Sequence, residues 1–114
     1  MSLIYKILDA PAWTAALAAG VFEGSPVDHA DGYIHFSTAG QAQETARRHF
    51  AGRADLLLLT VEADRLGEAL RWEPSRGGDL FPHLYGVLPA SAVTAARPIA
   101  LGADGAPDVA ALLP

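Results

Sequence analysis

The sequence has no cysteine, which excludes disulfides and thiolate metal sites. Basic residues are also few: 8 Lys and Arg against 13 Asp and Glu give a formal net charge of −5. Such a chain has no general attraction to phosphate backbones, so we do not expect nucleic acid as a partner. No apolar run approaches the roughly 18 residues of a membrane span, and the first residues lack the pattern of a secretory signal. We expect no membrane partner and a cytoplasmic location.

The chain does contain enough apolar residues for one core. Its 114 residues are 51% hydrophobic, which excludes disorder and fits a single domain over residues 1–114. The apolar patterns predict an α+β domain with two early helices and a largely antiparallel sheet. In the first helix, Trp13 and Leu17 are predicted to face the core. Predicted strands cover residues 3–8, 32–37, 55–62, 70–73, 85–88 and 93–101, predicted helices follow Asp9 and Thr38, and predicted loops cover 21–32 and 75–80.

The segment Asp31–Thr38 is the first candidate for chemistry. Strand periodicity places His35 and Ser37 on one face and the apolar residues on the other. A helix begins at Thr38, which has capping-box spacing with Gln41, and a helix start can bind an anion or a ribose. Ser37 shares the face of His35 and is the better ligand candidate, since Thr38 caps the helix. A structural histidine bonded to backbone at a strand end also fits.

A second segment, Phe81–Gly86, repeats this device and is predicted to place a histidine and a tyrosine on an exposed strand face. Tyr85 could stack on a planar ligand while His83 donates a hydrogen bond or a proton near neutral pH. Glu73 is a carboxylate at a strand end beside an aromatic residue, where it could orient a hydroxyl or act as a base. Arg76 lies in a glycine-bearing loop and could reach a phosphate. An exposed strand edge with a solvated glutamate is the alternative.

Other common sites are not predicted. No two histidines have the HxH or HExxH spacing that fixes two metal ligands on one element, so we predict no metal site. Ser37 is not in a Gly-x-Ser-x-Gly elbow, which argues against a serine hydrolase. The sequence also lacks the glycine-rich phosphate loops of dinucleotide-binding and P-loop proteins.

Taken together, these segments resemble one bacterial family, domain-of-unknown-function family 952. That family is grouped with the ADP-ribosyltransferase-like superfamily, whose members include NAD-consuming toxins and RNA 2'-phosphotransferases. The residues that carry the resemblance extend through about Val93 and comprise Ile4-Tyr5-Lys6, Trp13, Gly20, Asp31–Ala39, Gln41, Trp72-Glu73 and Phe81–Gly86.

The resemblance implies an ADP-ribosyltransferase-like fold, in which a mixed, mostly antiparallel sheet is split around a cleft that holds NAD. It would place Lys6 on the first strand and His35, Ser37 and Thr38 on the second-strand motif. The stretch from His83 to Tyr85 would be the late strand. No glutamate stands on that strand, where the superfamily has its catalytic carboxylate. Glu73 could substitute only if its strand borders the same cleft.

The sequence therefore predicts a cleft for a nucleotide-like or phosphorylated small molecule. Two classes of function remain open: an ADP-ribosyltransferase-like or phosphotransferase-like enzyme, and a domain that binds a ligand or a protein without turnover. NAD is the cofactor that the resemblance implies, and the residues themselves identify none. The catalytic candidates are His35, Glu73 and His83, and the ligand-binding candidates are Lys6, Ser37, Thr38, Arg76 and Tyr85.

Overall fold

A computed structural model describes residues 2–114. Its strands are β1 (Leu3–Asp9), β2 (Val21–Phe22), β3 (Ile34–His35), β4 (Leu56–Glu62), β5 (Leu70–Pro74), β6 (Leu80–Leu84), β7 (Leu88–Pro89) and β8 (Val93–Ile99). Its α-helices are α1 (Ala10–Ala19), α2 (Pro26–Asp31) and α3 (Ala39–His49), with 3-10 turns at Ala63–Ala69, Arg76–Gly78, Ala90–Ala92 and Ala110–Leu112. The prediction of an α+β domain with antiparallel sheets is confirmed. Within residues 2–114 no helix is long and apolar enough to cross a bilayer.

The central sheet has the strand order β1-β4-β8; β1 and β4 are buried on both faces, whereas most of β8 is exposed. Alternation along β1 sends Ile4 and Leu8 into a core shared with α1, while Tyr5 and Ile7 pack with α3. Lys6 shares the face of Ile4 and Leu8, and it is buried. A cation in a core requires a partner, because an isolated buried charge is costly.

The second three-stranded sheet has the order β3-β6-β5, and Pro82 in its central strand limits β3 to two residues. Phe36 N donates to Pro82 O at 3.0 Å, but proline has no N–H with which to return the bond. The chain leaves β6 there and pairs instead with β1, where Tyr5 and Ser37 exchange two backbone bonds of 2.8 Å. Pro82 thus sets the point at which the two sheets separate.

Several local predictions are wrong. The loop over 21–32 contains α2, which Ser25 and Pro26 begin and Gly32 ends in the left-handed region. The strand predicted over 85–88 is not formed, because β6 ends at Leu84, the chain turns, and β7 begins only at Leu88. By contrast, the loop predicted over 75–80 is present as the hairpin turn between β5 and β6, in which Ser75 N donates to Asp79 O at 2.9 Å.

Two further predictions, one about burial and one about the bounds of a strand, need correction. Leu17 is 56% exposed, and Ala16 takes its place beside Trp13 in the core. The second strand, predicted over 32–37, covers only Ile34–His35, because α2 and its C-cap extend to Gly32 and Pro82 ends the pairing with β6 after His35.

The start of α3 confirms the predicted capping box. Thr38 N donates to Gln41 Oε1 at 3.0 Å, and Gln41 Nε2 donates to Leu80 O at 2.9 Å. The carboxamide of Gln41 therefore closes the helix start and ties it to β6.

We predict that Gln41→Ala lowers the free energy of unfolding by about 1–3 kcal/mol, because two hydrogen bonds of about 0.5–1.5 kcal/mol each are lost. Gln41→Glu keeps the acceptor for Thr38 N and loses only the donor to Leu80 O, so its loss should be smaller. Urea unfolding followed by circular dichroism measures both. Equal losses in the two variants would contradict a capping role.

Candidate functional site

The two sheets separate beside a pair of histidines, His35 and His83, which we call the imidazole pair. The residues face each other across the β3–β6 ladder, and their ring centroids are 5.9 Å apart. The distant segments that the sequence marks as candidates thus become neighbours. His83 is only 3% exposed, so its predicted position on an exposed strand face is wrong.

The first imidazole is held by a buried carboxylate, Asp28, which is 2% exposed. Asp28 Oδ1 lies 2.6 Å from His35 Nδ1, and Asp28 Oδ2 lies 3.2 Å from Lys6 Nζ. Lys6 also donates to the carbonyl of His35 at 3.0 Å. Ser25 N donates to Asp28 Oδ2 at 2.8 Å. Asp28 therefore joins β1, the start of α2 and β3.

Burial disfavours the charged form of Asp28, yet the hydrogen bond from His35 and the charge of Lys6 outweigh it and lower the pKa of that carboxyl. The same burial lowers the pKa of Lys6, and Asp28 offsets part of this by favouring the ammonium. Asp28 is thus an ionised acceptor that fixes His35 through Nδ1. Carboxylate–imidazole pairs of this kind hold the ring and leave Nε2 for other partners.

In this structure, Nε2 of His35 meets a second carboxylate. Asp31 Oδ2 lies 2.8 Å from it, and Asp31 is exposed at the last residue of α2. Both ring nitrogens of His35 therefore contact acidic side chains.

The second imidazole is held from the neighbouring strand. Glu73 Oε1 of β5 lies 2.8 Å from His83 Nδ1 and accepts a 2.7 Å bond from the hydroxyl of Tyr85. These two hydrogen bonds lower the pKa of Glu73, and the Tyr85 pKa is raised because its hydroxyl donates to a carboxylate. Both bonds use Oε1, and Oε2 of Glu73 makes no hydrogen bond to residues 2–114.

Tyr33 covers the imidazole pair. Its ring stacks on His83 with centroids 4.0 Å apart and an interplanar angle of 26°, and it lies 4.6 Å from His35. Burial, Asp31 and Glu73 all raise the pKa of Tyr33. Tyr33 is therefore a neutral aromatic cover between two acidic groups.

A cavity of about 160 Å³ lies beside Tyr33. Its lining is shared between acidic, aromatic and apolar groups, and Asp28 and Tyr33 belong to both the cavity and the imidazole network. The lining residues are Glu23, Asp28, His29, Gly32, Tyr33, Ile34, Leu84 and Gly86.

A family model described as “Protein of unknown function (DUF952)” matches residues 7–96. The chain belongs to this family. The matched span contains both histidines of the imidazole pair, as well as Asp28, Tyr33 and Glu73.

Solved structures of a bacterial protein are similar to this chain over nearly its whole length. A crystal structure of protein CC0527 from Caulobacter crescentus is 56% identical, covers 97% of each chain and has a TM-score of 0.95. A crystal structure of a double mutant of CC0527 is 54% identical, with 97% of each chain covered and a TM-score of 0.95. A solution NMR structure of CC0527 is 57% identical, with 99% of this chain and 97% of that chain covered and a TM-score of 0.89. Among curated proteins no match is found.

In this member of the DUF952 family, the structure brings four of the predicted site residues together: His35, His83, Glu73 and Tyr85. Lys6 contacts the backbone of His35, but its side chain is buried and bonded to Asp28. The predicted reach of Lys6 to a ligand is thus blocked by its own carboxylate partner.

The other predicted residues form a separate chain of contacts. Ser37 Oγ lies 3.0 Å from Thr45 Oγ1, and Arg76 Nη1 donates to that oxygen at 3.4 Å. The Arg76 guanidinium also lies 4.9 Å from the ring centroid of Phe81. Thr38 caps α3. Within residues 2–114, hydrogen bonds do not connect this group to the imidazole pair.

Sequence reasoning missed Asp28, Asp31 and Tyr33 as site residues. The signal for Asp28 is present: Ser25-Pro26 followed by an acid at the third helical position is a capping-box pattern. Because the segment 21–32 is predicted as a loop, the sequence does not indicate that this carboxylate points inward to His35. Residues 2–114 contain no cluster of His and acidic side chains suited to a metal ion.

We predict that Asp28→Asn lowers the free energy of unfolding at pH 7 by about 3–5 kcal/mol, because it leaves the buried Lys6 ammonium without a counter-charge. Asp31→Asn removes an exposed carboxylate and should change stability by about 1 kcal/mol or less. Urea unfolding of both variants tests this difference. Similar losses would show that Asp28 is not the structural anchor.

The acid dependence of stability should follow from the lowered pKa of Asp28. Its folded-state pKa lies below the unfolded value of about 3.9. The stabilisation is therefore complete above about pH 4 and is lost as the pH falls toward the folded pKa. Urea midpoints measured between neutral and acidic pH should fall less steeply in Asp28→Asn than in the wild type. Parallel curves would refute this contribution.

Proposed function

We propose that the imidazole pair and its carboxylates form a site for a nucleotide-like or phosphorylated small molecule. The observation that carries the proposal is the arrangement of two neighbouring imidazoles, each fixed at Nδ1 by its own carboxylate. Fixing Nδ1 leaves the two Nε2 atoms as the positions where a proton can be accepted or delivered. Such a pair suits proton transfer to and from ribose hydroxyls or ester oxygens.

Glu73 supplies the negative charge that bond cleavage at a ribose carbon requires. Its lowered pKa keeps it ionised at neutral pH, and Oε2 is available for a hydroxyl. A carboxylate near the sugar stabilises an oxocarbenium-like transition state. The pairing of β5 with β6 brings this carboxylate to His83, which supports Glu73 as the substitute for the missing late-strand glutamate.

On this basis we further propose the ADP-ribosyltransferase-like fold, with NAD as the first ligand to test. The separation of the two sheets beside the site is the feature that supports a split-sheet cleft. Ligand pockets usually have volumes of roughly 300–1,000 Å³, so the cavity of about 160 Å³ accommodates a single ring or a ribose. The rest of a dinucleotide would lie along the surface toward Tyr85, which is 40% exposed.

We propose different roles for the remaining ligand-binding candidates. Lys6 would act through Asp28 as a positioning residue. Ser37, Thr38 and Arg76 would contact only a ligand long enough to extend along the start of α3. The cytoplasmic location stays a prediction.

The alternative is a domain that binds a ligand or a protein without turnover. The burial of His83 beneath Tyr33 favours it, because an imidazole that is 3% exposed does not meet a substrate unless Tyr33 moves.

Glu73→Gln tests the enzyme proposal while preserving the shape of the side chain. With NAD as substrate, whose nicotinamide is the leaving group, we predict a loss of turnover of about a hundredfold or more, while calorimetric binding of NAD weakens far less. Product formation is followed by chromatography. The matched control is Glu68→Gln, an exposed glutamate outside the site, which should leave both readouts unchanged.

The outcomes separate the two classes. Binding of NAD by the wild type without release of nicotinamide would favour the binding domain. Absence of both binding and turnover, together with a flat thermal-shift screen against nucleotides and phosphorylated sugars, would reject the proposed function.

A further inference from the structure

Two side chains that flank Gly32 each contact one member of the imidazole pair. Asp31 places a carboxylate oxygen 2.8 Å from Nε2 of His35, and Tyr33 stacks its ring on His83. Gly32 between them has a φ of +88°, and nothing lies within 4 Å of the position where a Cβ would stand. The left-handed turn thus presents an anionic group and an aromatic ring to the same site.

We infer that Asp31 and Tyr33 are a built-in cover of the imidazole pair, which a ligand with an anionic group and a planar ring must displace. This inference rests on the proposed function for the identity of the ligand. The cover itself is a property of the free protein.

The chemistry of the contacts defines the ligand class. An ionised carboxylate is an acceptor only, so its place at Nε2 of His35 is one that a phosphate or carboxylate oxygen of a ligand can take. The ring of Tyr33 occupies the stacking position over His83, which a base or another planar ring can take. A nucleoside monophosphate combines the two groups.

The surroundings allow the cover to move. Asp31 is exposed, so its carboxylate can rotate into solvent at little cost, whereas Asp28 is buried and has several other donors. Tyr33 borders the cavity of about 160 Å³, so its ring is not packed against protein on that side. The backbone does not need to open, because Tyr33 N remains bonded to Asp28 O at 3.2 Å.

Histidine modification tests the cover without any ligand. Diethyl pyrocarbonate acylates unprotonated imidazole nitrogens, and mass spectrometry of peptides gives a rate for each histidine. His49 is exposed at the last residue of α3 and serves as the internal reference. The variants are Asp31→Ala and Tyr33→Ala, and the matched control is Asp64→Ala, which removes an exposed aspartate elsewhere.

Relative to His49, we expect Asp31→Ala to accelerate modification of His35 several-fold and Tyr33→Ala to accelerate that of His83. Tyr33→Phe keeps the ring and should leave His83 protected, and Asp64→Ala should change neither rate. Unfolding midpoints confirm that the variants are folded. If Tyr33→Ala does not fold, Tyr33→Leu replaces it. Unchanged rates at His35 and His83 in folded variants would overturn the cover.

Calorimetry with adenosine monophosphate, adenosine and inorganic phosphate tests the ligand class. Asp31→Ala should strengthen binding of adenosine monophosphate several-fold and leave adenosine unchanged, because only the phosphate competes with the carboxylate. Equal affinity of wild type and Asp31→Ala for the monophosphate would overturn the competition. If none of the probes binds any variant, the ligand class named here fails, while the modification rates still decide whether the cover exists and the NAD experiment still decides the proposed function.

Discussion

The structure around the site depends on one buried carboxylate, Asp28. An ionised acid in a protein interior is tolerated only when hydrogen bonds and a counter-charge replace water. Lys6, Ser25 and His35 provide these from three separate segments. Asp28 therefore restrains three elements. It fixes the start of α2, neutralises Lys6 on the core face of β1 and orients the imidazole of His35 in β3.

Pro82 imposes the second constraint, since it leaves β6 without a donor where β3 would continue. Ser37 then pairs with Tyr5, and α3 begins immediately afterwards. The sheets diverge at this position, so His35 and His83 are the last pair of the β3–β6 ladder before the separation. A residue that ends a ladder thereby determines which side chains border the opening. It also explains why the polar residues of the motif fall into two groups, with Ser37 turned toward Thr45.

How far the sequence predicts this molecule depends on whether the signals are local. Alternation along β1, the paired signals at Thr38 and Gln41, and the position of Ile34 and Phe36 in the core all follow from short-range patterns, and the structure confirms them. The burial of His83 does not follow from such patterns. It results from contacts with β5 and Tyr33, and neither contact is encoded in the local spacing. Helix α2 was missed because six residues are too few for an apolar periodicity, although its Ser-Pro start was present. Asp28 was overlooked for the same reason.

The carboxylates that hold the two imidazoles differ in burial, since Asp28 is 2% exposed and Glu73 34%, and this difference bears on function. Asp28 and Lys6 hold His35 from the interior, where rotamers are restrained and no ligand is needed to complete the network. Glu73 and Tyr85 hold His83 from the side that faces water. A site that acts on a ligand needs preorganised groups and groups that can exchange partners on binding. Asp28 and Lys6 meet the first requirement. Glu73 meets the second through its free carboxylate oxygen. Asp31 and Tyr33 also meet it, because these two side chains of one short turn can release the imidazoles without unfolding any strand.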